Sequence, residues 1–123
     1  MINEEFKKEL YSLLVEFIKM INNRDSNNMR KKFFINEEVF EEIIENLSEY
    51  FGEDFAIDIA PYQKAFERYK NRQNIDIYEM NESGVFGIEC VIWRNEKPQE
   101  PILHAEVFGK SKDLKLRYKY IGS

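Results

Sequence analysis

Histidine, cysteine and tryptophan occur once each in these 123 residues, as His104, Cys90 and Trp93, and proline occurs three times. A single cysteine makes no internal disulfide, which favours a reducing, cytoplasmic setting. With one histidine and one cysteine, a metal site built on clusters of those residues is excluded, although carboxylates alone remain open to a hard cation. No stretch approaches the length of a membrane span. The start, Met1–Leu10, carries Glu4, Glu5, Lys7, Lys8 and Glu9 where a signal peptide would lead from a basic region into an apolar one. A soluble chain without leader or membrane segment is therefore expected. The patterns G-x-G-x-x-G, G-x-x-x-x-G-K-[ST] and G-x-S-x-G are all missing, and no phosphate-cradling loop is expected. Positive charge is also short. Eighteen Lys and Arg against 23 Asp and Glu leave a formal charge of −5. That balance argues against a general nucleic-acid binder and suits either a soluble protein that avoids nucleic acid or one that meets a basic partner.

Aromatics are abundant: ten Phe and seven Tyr against five Gly. Large rings supply much of the stability of a small domain, and the length suits one domain, 1–123, with one core. There is no internal repeat, low-complexity tract or linker. Asn3 is placed to cap a helix running to about Ile21, with Glu4 and Glu5 in its first turn and Phe6, Leu10, Leu13, Leu14, Phe17, Ile18 and Ile21 as its apolar stripe. The polar run Asn22–Asn28 reads as the turn that ends it. Met29–Ile35 is ambiguous: Arg30, Lys31 and Lys32 before Phe33 and Phe34 form either a basic–aromatic patch or a connector whose Phe pair enters the core. Asn36 then caps a second helix, Glu37 to about Phe51, with Ile35 and Phe40 as a hydrophobic staple and Gly52 as its stop. Val39, Phe40, Ile43, Ile44, Leu47, Tyr50 and Phe51 form its buried stripe. Its outer surface carries Glu37, Glu38, Glu41, Glu42, Glu45 and Glu49, which is either a contact for a basic partner or a solvated helix face.

Phe55, Ile57 and Ile59 alternate with polar or small residues as a short strand, and Pro61 opens a short helix over Tyr62–Lys70, with a bent edge strand as the alternative. Strands follow at Ile75–Met80, Val85–Arg94, Ile102–Phe108 and Leu114–Ile121, with an Asn95–Glu100 loop containing Pro98. Helices first and then a sheet define an α+β fold: N-terminal helices packed on a curved, mainly antiparallel, cone-like sheet of four to five strands.

Period two divides that sheet into faces. Phe86, Ile88, Cys90, Ile92, Leu103, Ala105 and Val107 point to the helices, as do Leu114, Leu116, Tyr118 and Tyr120. The second face holds Val85, Gly87, Glu89, Val91, Trp93, Ile102, His104, Glu106 and Phe108, with Lys115, Arg117 and Lys119 beside them. A symmetric hairpin pairs Glu89 with Glu106 and Val91 with His104. Aromatics among mixed charges suit a protein interface, with a foreign partner or a second copy; the alternative is a sheet face covered by the chain's own loops. Cys90 reads as a small core residue, because His104 lies on the other face. His104 with Glu89 and Glu106 is the acid–base set available, and salt-bridged surface histidines have the same neighbours.

The element order resembles the cystatin-like folds, nearest the nuclear transport factor 2-like superfamily. Ile75–Met80, Gly87–Trp93 and Ile102–Val107 also look like small bacterial domains of that superfamily. The resemblance implies a sheet-and-helix cone. It also implies, for several such bacterial domains, a role as immunity proteins in toxin–antitoxin-type competition. Enzymatic branches use an Asp–His or Tyr–Asp arrangement in the cone; nothing here matches it position by position, so no catalytic residue is carried over. The expectation is a non-enzymatic protein that binds a basic toxin domain, with no cofactor or metal, no nucleic acid and no membrane. Its binding residues are Glu89, Trp93, His104, Glu106 and Arg117 on the sheet and Glu41, Glu42, Glu45 and Glu49 on the helix. The alternatives are a small ligand or enzymatic site in the cone, from Tyr62, Tyr69, Asp58 or Tyr118, and a homodimer without ligand.

Overall fold

The computed structural model describes residues 2–69 and 72–123. Its first helix, α1 (Glu4–Asn22), starts where Asn3 Oδ1 accepts the Phe6 N–H at 2.9 Å. Leu10, Leu14, Phe17 and Ile21 recur every three or four residues along it and are fully buried. The polar run that follows is not one long turn. Arg24 takes a left-handed φ of 54°; its N–H donates to the Ile21 carbonyl at 3.0 Å, and its guanidinium donates to the Asn22 carbonyl at 3.1 Å, an acceptor left open at the end of α1. Asp25 then accepts the Asn28 N–H and starts α2 (Ser26–Phe33) inside the run.

Helix α2 splits the expected Phe pair: Phe33 is buried, while Phe34, in the left-handed region at φ 57°, is 80 % exposed. Asn36 caps α3 (Glu37–Phe51) as expected, accepting the Val39 N–H, and Gly52 ends it. Ile35 and Phe40 are both buried, as a staple requires, but Tyr50 stands in solvent instead of joining the stripe.

Phe55, Ile57 and Ile59 point inward as their alternation predicts, yet only Asp58 pairs with another strand, by a bridge to Trp93. Asn22 holds this extended segment, bonding both the N–H and the C=O of Ile57 at 2.9 and 2.8 Å. The expected helix over Tyr62–Lys70 shrinks to α4 (Tyr62–Ala65); the chain then enters a small hairpin, β1 (Arg68–Tyr69) with β2 (Arg72–Gln73), and Lys70 lies outside the described residues.

Four strands, β3 (Ile75–Glu79), β4 (Val85–Arg94), β5 (Lys97–Lys110) and β6 (Asp113–Gly122), form an antiparallel sheet in chain order, not closed into a barrel. Helices followed by this sheet make the protein α+β, and one apolar cluster joins α1, α2 and α3 to Ile88, Cys90, Ile92, Leu103, Ala105 and Val107. The β4–β5 turn is shorter than the expected loop. Asn95 and Glu96 both have positive φ, 54° and 63°, as a two-residue type I′ turn demands. Pro98 is thus in a strand. It is tolerated because its missing N–H faces the side where β6, which stops at Gly122 opposite Ile102, no longer lies.

Two irregularities reset the expected register. Between Val91↔Ile102 and Trp93↔Pro98 the single residue Ile92 faces the longer Gln99–Pro101 stretch. Glu89 therefore pairs with His104 and Gly87 with Glu106, displaced by two residues from the symmetric hairpin. An even displacement leaves every side chain on its own face. The second irregularity does not. His104↔Tyr120 is followed by Ala105↔Tyr118, so Lys119 is extra, Tyr120 turns away from the core and Ile121 turns into it.

Candidate functional site

The second face of the sheet is built in rows across the four strands: Tyr78–Gly87–Glu106–Arg117, and Asp76–Glu89–His104–Tyr120. Gly87 is there because Tyr78 lies on it: a Cβ at Gly87 would run into the Tyr78 ring. Covering a strand glycine with a cross-strand aromatic restores the packing the glycine lacks. Burial, and after it the charge of Glu89, pushes the Tyr78 phenol above its ordinary value. Beside it Glu106 is only 13 % exposed, accepting from Arg117 Nε at 2.9 Å with Lys119 Nζ at 3.9 Å. Arg117 in turn lies over the Phe108 ring, 4.7 Å from its centre.

His104 and Glu89 stand opposite one another, as the pairing places them, but the set does not form an acid–base site. Tyr120 stacks on the imidazole with centroids 4.1 Å apart and planes 11° from parallel. His104 Nε2 is buried and meets no hydrogen-bond partner. The Glu106 carboxylate is committed to Arg117. Nε2 is shut off from solvent and one of the two acids is engaged elsewhere, so that nitrogen has no open approach as a general base.

Trp93 requires a correction. Expected as an exposed anchor, it is 9 % exposed and belongs to the core, because beyond the start of β3 the segment around Asp58 takes over as neighbour of β4. Trp93 and Asp58 exchange backbone bonds of 2.8 and 2.7 Å, and the indole N–H donates to Asn74 Oδ1 at 3.0 Å. Val91, assigned to the same face, is buried as well. The exposed aromatics there are Tyr78 and Tyr120 instead. The signal for Tyr78 is a tyrosine opposite a glycine, which needs the β3–β4 register to be seen; Tyr120 depends on the extra residue Lys119, which leaves no trace in the hydropathy pattern.

Along α3 the side chains of Glu41, Glu42, Glu45 and Glu49 are in solvent, as expected, with Glu37 and Glu38 continuing the row. No ion pair among the described residues involves any of these six. The two surfaces adjoin at one corner. Asn46 of α3 donates to the carbonyl of Ile121 at 2.8 Å, next to Tyr120. The Glu42 charge also contributes, after burial, to raising the Tyr118 phenol to about 12.

The groups proposed for a site in the cone do not converge. Tyr62 donates to Glu4, Asp58 Oδ1 accepts the Ile59 N–H, and Tyr118 stacks on Phe17; the side chain of Tyr69 lies outside the described residues. Between helices and sheet stand Leu14, Phe17, Ile21, Ile43 and Leu47, all fully buried. Cys90 is a buried free thiol, pushed up to about 12 by burial, which keeps it protonated and unreactive. Among the described residues no group of three or more His, Cys, Asp or Glu is placed to hold a metal, and no helix is long and apolar enough to cross a membrane. No family model, curated protein or solved structure matches the chain.

Proposed function

We propose that this chain is a protein-binding domain whose partner is basic, and that it acts as an immunity protein, neutralising a toxin by covering it. The observation that carries the reading is the uncompensated acidic ridge of α3. Glu37–Glu41, Glu38–Glu42, Glu41–Glu45 and Glu45–Glu49 are all like-charge pairs at the i, i+4 spacing, and the last turn holds no basic residue. Each such pair opposes the helix by roughly 0.2–0.5 kcal/mol, and Glu49 also faces the negative end of the helix dipole. A basic surface laid on the ridge relieves all of these at once and gains speed of encounter from complementary charge. Tyr120 extends the contact around the Ile121 corner, with the half-buried His104 stacked against it, and its exposed ring can serve as an anchor. Glu89, Glu106 and Arg117 lie further along the same face.

The test is co-purification of the tagged chain from its native host at low and high salt, followed by a toxicity assay of the retained protein with and without this chain. The expected result is one roughly stoichiometric basic protein, released by salt, harmful alone and harmless in the complex. Glu41→Lys with Glu45→Lys should weaken retention by about tenfold or more. Retention that ignores both salt and these substitutions would sink the reading.

A further inference from the structure

Where β6 begins, the sheet ends in an open edge beside the last turn of α2, and the two, with Glu9, Ser12, Leu13 and Glu16 of α1, bound a cleft of about 430 Å³. The alternation of an antiparallel ladder sets what that edge offers. The turn at Ser111–Lys112 makes Lys110↔Asp113 the closing pair, so Lys115 and Arg117 bond to β5 while Leu114, Leu116 and Tyr118 turn their N–H and C=O groups outward. Glu9 already takes the outward N–H of Leu114 at 2.9 Å, together with that of Lys112 at 2.7 Å. The next outward pair, on Leu116, opens into the cleft without a partner among the described residues.

Across the cleft stands Phe34. Its ring is 80 % exposed on a backbone at φ 57°, a conformation in which glycine is the usual residue. An aromatic displayed in water on strained backbone does nothing for the fold. The surrounding charge is inverted relative to the chain as a whole. Lys32 and Lys115 are paired, with Glu16 at 2.8 Å and Asp113 at 3.2 Å, while Lys31 and Lys112 have no carboxylate within ion-pair distance among the described residues.

We infer that this cleft is a second binding site, separate from the acidic ridge, which takes an extended acidic segment of a partner protein by strand addition to β6. The segment's backbone bonds to Leu116, its carboxylates meet Lys31 and Lys112, and one of its apolar side chains covers the Phe34 ring. A second copy pairing β6 with β6 would set the same lysines against each other. A nucleic acid would leave the outward N–H and C=O unmatched.

The test uses fluorescein-labelled peptides of alternating Glu and Val around a central Phe, with a Lys-for-Glu counterpart and a counterpart N-methylated at alternate residues. Binding is read by anisotropy and by backbone amide shifts. The acidic peptide is expected to move the amides of Lys31–Phe34 and Lys112–Tyr118 and to leave those of α3 in place. N-methylation, or Phe34→Gly in the protein, should weaken it by on the order of tenfold. Phe34→Gly keeps the left-handed backbone, so a melting temperature that does not fall separates lost contact from lost fold. Four results would overturn the inference: no shift at millimolar peptide, equal shifts of the Lys31–Phe34 and Lys112–Tyr118 amides by the lysine peptide, larger shifts of those amides by an oligothymidylate, or a dimer by light scattering that Phe34→Gly dissolves. None of these bears on the acidic ridge, whose reading stands or fails by its own salt dependence.

Discussion

Two residues hold conformations that the rest of the chain has to accommodate. Phe34 ends α2 in the left-handed region, where an L side chain costs roughly 1–2 kcal/mol, and its exposed ring returns nothing. Phe34→Gly is therefore expected to stabilise the fold by about 1 kcal/mol, seen as a higher urea midpoint at unchanged slope, whereas Phe34→Ala gains nothing. Gly87 presents the opposite case. An alanine there collides with the Tyr78 ring, so the ring must swing off the sheet. Gly87→Ala should cost about 1–2 kcal/mol in the native background and become neutral or mildly stabilising beside Tyr78→Ala, where strand propensity alone remains. Equal costs in both backgrounds would show that the ring does not rest on Gly87. A Tyr opposite a Gly is a pattern that sequence carries, but only once the strand register is known.

Among the elements, α1 and α3 were legible to within a residue: Asn3, Asn36 and Gly52 mark them because an Asn oxygen or a glycine there answers a specific orphan backbone group. Helix α2 was hidden by its own cap, since Asp25 sits among residues that favour turns as strongly as helix starts. The β4–β5 turn was hidden by Pro98, which reads as a loop residue unless the early end of β6 is known. Helix α3 shows what its caps must overcome. Glu49→Lys removes one like-charge pair, sets a cation four residues after Glu45 in the favourable order, and places that cation at the helix C-terminus. It should raise stability by about 0.5–1 kcal/mol at low salt, and added salt should shrink the gain. The same substitution is expected to weaken capture of a basic partner, so stability and binding move in opposite directions if the ridge is a contact. A variant that is both more stable and equally retained would make the ridge a solvated face.

For the whole molecule, the α+β layering and the choice of core face were legible because period-two burial survives an even displacement of register. The exposed side was not. One extra residue at Lys119 reverses Tyr120, and the segment around Asp58, distant in sequence, covers Trp93. Both are tertiary facts that alternation does not encode. The single apolar cluster also holds the two groups with the largest shifts, and both act on the alkaline side. Burial holds the Cys90 thiol at about 12 against an ordinary 9.0, and burial with the Glu42 charge holds Tyr118 at about 12 against 10.0. On the alkaline side the folded chain keeps protons that the unfolded chain releases, so stability is full below about pH 9 and declines from there toward pH 12. Cys90 acts first, with a slope approaching about 1.4 kcal/mol per pH unit, and Tyr118 steepens the decline above its ordinary value. Cys90→Ala should lower stability at neutral pH by a modest packing loss yet hold that value flat to about pH 10, so the two urea midpoints converge as pH rises. Parallel curves for native and variant would mean that the thiol titrates at its ordinary value, and that the cluster around Ile88, Ile92 and Leu103 admits water.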